Sequence, residues 1–124
     1  MLQHRIATLA ALAIALATAT AAVAGDTVSL ATGATATVRA NAIWFQEPEM
    51  LARWQALRRS GDAKAFDDYQ RQALNERDAW QFLRPLPVKV IGYDAASRQA
   101  NVEMLTPGRL EGSVWYLDAD AFAP

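Results

Sequence analysis

Gly108-Arg-Leu-Glu-Gly-Ser-Val-Trp-Tyr-Leu-Asp-Ala-Asp-Ala-Phe122 is the stretch whose reading decides the fold. Gly108 and Gly112 bracket a charged turn, and Val114-Trp-Tyr-Leu117 then places four strand-forming residues in a row. The tail Asp118-Ala-Asp120 suits the capping of a short terminal helical turn near Ala121-Phe122. Because side chains alternate along a strand, Trp115 and Tyr116 must face opposite ways, one inward and one toward the surface. The stretch reads as the closing turn and last strand of a small β structure.

Outward from it, Ala100 to Leu105 is a strand with Val102 and Met104 on one face, and Asp94 to Ser97 is the hairpin turn before it. Val88 to Tyr93 and Trp80 to Leu83 are strand-like, and Pro85-Leu86-Pro87 between them reads as a turn or an edge. Upstream the period changes. Met50, Leu51, Trp54 and Leu57 recur at helical spacing behind Pro48, and Ser60-Gly61 stops that helix. Asp62 caps a second helix whose apolar face holds Ala65, Phe66, Tyr69 and Ala73. Thr35 to Phe45 reads as a single strand with a bulge near Ala40-Asn41, ending in the continuous apolar run Ile43-Trp44-Phe45. A short strand is expected at Val28 to Leu30.

The N-terminus has the layout of a secretory signal peptide. His4 and Arg5 form a short basic region, an Ala-rich apolar run follows from Ile6, and Ala22-Val23-Ala24 supplies small residues for cleavage. Thr8, Thr18 and Thr20 interrupt that run, which argues against a permanent span. The expected organisation is a signal peptide over 1–24, a leader over 25–33 and one domain over 34–124, acting in the periplasm or outside the cell without stable membrane insertion.

Composition narrows the chemistry. The chain has no cysteine, and its one histidine, His4, leaves with the signal, so imidazole-assisted nucleophiles and imidazole or thiolate metal sites are excluded. The net charge of −1 becomes −2 without Arg5, which gives no electrostatic case for nucleic acid or an anionic membrane. Asp67 and Asp68 are adjacent on a helix and diverge, so they form a solvated face and not a dyad. No cofactor or metal set is expected.

Val88-Lys-Val-Ile91, Asn101-Val-Glu-Met-Leu105 and Gly112-Ser-Val-Trp-Tyr116 together resemble the ending of bacterial Src-homology-3-like (SH3-like) domains, and the resemblance extends over about 34–122. More narrowly, the chain resembles small exported proteins of that class with a helical hairpin between the first and second barrel strands. It departs from them at Leu86-Pro87, where they carry Gly-Thr, and at Val114, where they carry glycine.

The fold class expected is therefore α+β: a small SH3-like antiparallel β-barrel with a two-helix hairpin inserted after the first barrel strand. The resemblance implies a non-catalytic interaction domain of the cell envelope, with a protein or cell-wall component as partner. The alternative is a small periplasmic inhibitor or immunity-type protein that blocks a partner enzyme. In such a barrel, surface aromatics form a groove for extended peptides, and Tyr93, Trp115 and Tyr116 are the binding candidates.

Overall fold

The computed structural model describes residues 30–124. The expected signal peptide, most of the leader and the strand positions Val28 and Ser29 lie outside the described residues; Leu30, the last of that strand, is not in a strand. The described part is α+β. In chain order it comprises β1 (Thr35–Val38), β2 (Ile43–Phe45), α1 (Pro48–Ser60), α2 (Ala63–Asn75), β3 (Ala79–Gln81), β4 (Leu86–Asp94), β5 (Gln99–Met104) and β6 (Val114–Asp118), followed by a 3-10 turn at Ala119–Ala121.

All six strands pair antiparallel in one sheet of order β1-β4-β5-β6-β2-β3. The sheet is not closed into a barrel by its strands, because its end members β1 and β3 do not pair with each other. What approaches the outer side of β1 is the segment after the 3-10 turn. Val38 bridges to Phe122, the Arg39 N–H donates to the Ala121 carbonyl at 2.7 Å, and the Ala123 N–H donates to that of Thr37 at 2.9 Å.

Three expectations are corrected here. The single strand over 35–45 is two strands, because Asn41 takes a left-handed φ of 68° and turns the chain away from β1. β2 then joins the far side of β6, with Phe45 opposite Tyr116, so the helical hairpin follows the second strand of the chain and not the first. The Pro85-Leu86-Pro87 turn is also shorter than expected, since β4 starts at Leu86. Pro87 is tolerated because the pairing with β5 begins only at Val88.

The sheet separates two clusters. On one side Val38, Val88, Val90, Ala100, Val102, Met104, Trp115 and Leu117 pack around Trp44. On the other, the hairpin lays Leu51, Trp54 and Ala73 over Ile43, Phe45 and Ala79. Ile43-Trp44-Phe45 is thus continuously apolar because β2 is buried on both faces. Gly61, at φ 82°, makes the tight link between the helices, and Asp62 caps α2 by accepting the Ala65 N–H at 3.1 Å.

Candidate functional site

The three binding candidates occupy different environments. Trp115 is 3% exposed, meets Trp44, Trp80 and Phe82 edge-on, and donates its indole N–H to Ser113 Oγ at 2.7 Å. It is a core residue and offers no surface. Tyr116 faces the opposite way, half-buried against the cluster under the hairpin. Tyr93 follows a β-bulge between Val90 and Gly92 and packs half-buried against the inner cluster. Tyr93 and Tyr116 border one shallow depression with Gly92, Gln99 and Asn101. Their rings pack against different clusters, Tyr93 against the one around Trp44 and Tyr116 against the one under the hairpin.

A second feature lies where α1 meets the end of β6. Gln55, buried, donates to the carbonyls of Ser97 and Arg98 and to Asp118 Oδ1 at 2.7 Å. Arg58 pairs with Asp118 at 3.1 Å and with Asp120 at 3.4 Å, Arg98 pairs with Asp120 at 2.6 Å, and the Arg58 guanidinium covers the Trp54 ring at 4.7 Å. Burial opposes ionisation of Asp118, but Gln55, the Asp120 N–H and Arg58 together outweigh it and hold the carboxyl below its ordinary range. Asp118 also caps the 3-10 turn by accepting that N–H at 2.8 Å. Asp118 and Asp120 are engaged in fastening α1 to the end of the sheet. The cleft of about 270 Å³ beside them, reaching Arg39 and Gln81, is bordered by groups already paired to one another. Among the described residues no three His, Cys, Asp or Glu side chains converge as a metal set.

The third feature is a groove of about 640 Å³ with predominantly apolar walls. One wall is Phe82, Leu83, Arg84, Leu86 and Pro87, and the other is Met104 with the 106–110 loop, ending in Arg109 and Leu110. Leu83 is 82% exposed, the most exposed large apolar side chain among the described residues. Its volume lies in the range of binding pockets. Sequence reasoning missed this site by extending a strand through Leu83, whereas β3 stops at Gln81. A signal was available: Phe82-Leu83 sits immediately before Arg84-Pro85, where a ladder cannot continue and a bulky apolar residue has no core to enter.

No protein-family model, curated protein or solved structure matches the chain.

Proposed function

We propose that the protein is an exported, non-catalytic interaction domain of the cell envelope, SH3-like in plan, that binds a protein partner at the Leu83 groove. The observation that carries this reading is the groove itself. Fully solvating a leucine that could be buried forgoes roughly 1.5–3 kcal/mol, a cost that a partner seated over it recovers. Leu83, Pro87, Pro107 and Leu110 gather apolar surface around the groove, where a partner can dock.

The finer fold reading has its own support. β4, β5 and β6 form a meander, a 3-10 turn follows, and Phe122 returns to β1, with the hairpin and its two short strands lying between β1 and β4. Export rests on the basic, apolar and small-residue order of the first 24 residues.

The test is site-specific photocrosslinking in cells of the source organism. With the photoreactive residue at position 83, a discrete protein adduct is expected; with it at position 67, on the exposed face of α2, none is. Identical adduct patterns from both positions would exclude the groove as the partner surface.

A further inference from the structure

Resting on that reading, the geometry points to the partner's chemistry: we infer that the groove receives a protein segment bearing large apolar side chains flanked by carboxylates. The first argument is charge. The groove walls contain Arg84 and Arg109 and no acidic residue, although the chain as a whole has a net charge of −1. Arg58, Arg71 and Arg98 are committed to carboxylates; Arg84 and Arg109, like Arg53, Arg59 and Arg77, have no ion pair or side-chain hydrogen bond among the described residues, and of these only Arg84 and Arg109 border the groove. Two arginines at the rim of an apolar floor complement acids placed beside an apolar anchor, and such rim charges set partner choice and encounter rate.

The second argument is backbone chemistry. Pro87 and Pro107 remove one N–H donor from each wall, and the Pro87 carbonyl is already taken by the Leu105 N–H at 3.3 Å. An added β-strand needs a row of free backbone groups, and these walls supply few. The occupant is held by its side chains.

The third argument is shape. The groove is a partly open depression and not an enclosed cavity. A small lipid-like anion in such a site stays partly wet, whereas pockets that hold small molecules enclose about 70–90% of the ligand surface. A protein segment brings its own body to close the opening.

The experiment is selection of random dodecapeptides by phage display on the purified domain, with Leu83→Asp and Arg84→Glu/Arg109→Glu variants in parallel. Position 83 is exposed, so a melting curve of Leu83→Asp matching the parent confirms that the fold is retained. The expected result is enrichment of peptides with paired large apolar residues and flanking Asp or Glu. Leu83→Asp should abolish their binding, and the double arginine variant should weaken it by about tenfold, or 1.4 kcal/mol, and select basic flanks instead. Enriched peptides that need Leu83 but show no charge preference would overturn the carboxylate assignment while the groove reading stands. Peptides that bind Leu83→Asp equally well, or no enrichment at all, would overturn both. Sodium dodecanoate is titrated separately by NMR: a lipid chain that perturbs Leu83 and Leu110 where no peptide does would also overturn the inference.

Discussion

Gln55 occupies a buried position on α1, one turn after Leu51, where an amphipathic pattern would place an apolar residue. Its amide instead satisfies two carbonyls of the β4–β5 turn and one oxygen of Asp118. Gln55→Leu should therefore cost about 1–3 kcal/mol in urea unfolding, because Asp118 Oδ1 and the Ser97 carbonyl lose their donor, while Asp118 Oδ2 keeps Arg58 and the Arg98 carbonyl keeps the Ala119 N–H. Asp118 sets an acid limit. Its folded-state carboxyl titrates below the unfolded one, so its stabilisation is fully present above about pH 4 and is lost as pH falls through the depressed value. Urea midpoints measured from roughly pH 5 down to pH 2 should fall less steeply in Asp118→Asn than in the parent, from a lower plateau. An unchanged slope would show that Asp118 is not a source of the acid sensitivity. The capping by Asp118 was legible, since it acts within two residues, but its contacts with Gln55 and Arg58 were not, because a glutamine on a helix and an aspartate in a tail are ordinary surface residues until the helix is docked.

At the scale of elements, one residue divides what reads as a single strand. Asn41 is among the residues that tolerate a left-handed backbone, and the turn it makes sends β2 away from β1 and across to β6. Asn41→Val should cost about 1–2 kcal/mol, since a β-branched side chain is strained at that φ, while Asn41→Gly should be close to neutral. Thermal unfolding of the pair checks this, and equal losses in both would assign the effect to the asparagine side chain instead. The helices were legible because their limits are local: Pro48 at the start, Gly61 at the link and Asp62 as a cap act within a few residues. The β4–β5 hairpin was legible for the same reason. Asp94 accepts from the Ala96 N–H and the Ser97 hydroxyl, closing the turn where the sequence places it. The end of β3 was legible only in part: Arg84-Pro85 bars a ladder beyond Leu83, but Phe82 continues the apolar pattern and only the partner strand shows that pairing stops at Gln81.

For the whole molecule, the hairpin and the sheet form one unit through the Gln55–Asp118–Arg58 contacts and the Leu51, Trp54 and Phe45 packing. The groove lies elsewhere, at the ends of β4 and β5 beyond that fastening. Leu83→Asp is accordingly expected to leave stability within about 0.5 kcal/mol of the parent while removing partner crosslinks, a separation that a core residue such as Trp115 could not show. Trp115→Ala should cost about 3–5 kcal/mol. For export, intact-mass spectrometry of the envelope or culture fraction should find a form beginning at Gly25; full-length protein confined to the cytosol would exclude the signal reading.

The sequence by itself determined the α+β class, the helical hairpin with its caps, the β4–β5 turn and the opposite facing of Trp115 and Tyr116. Each depends on residues a few positions apart, where period, capping and turn chemistry act directly. Only the tertiary structure decided that Trp115 is the inward one, that Tyr93 and Tyr116 are anchored in separate clusters, and that Leu83 stands exposed beside Leu110 and two arginines. Those outcomes depend on which strands become neighbours, and strand order is set by burial summed over both faces of the sheet, which no local pattern records.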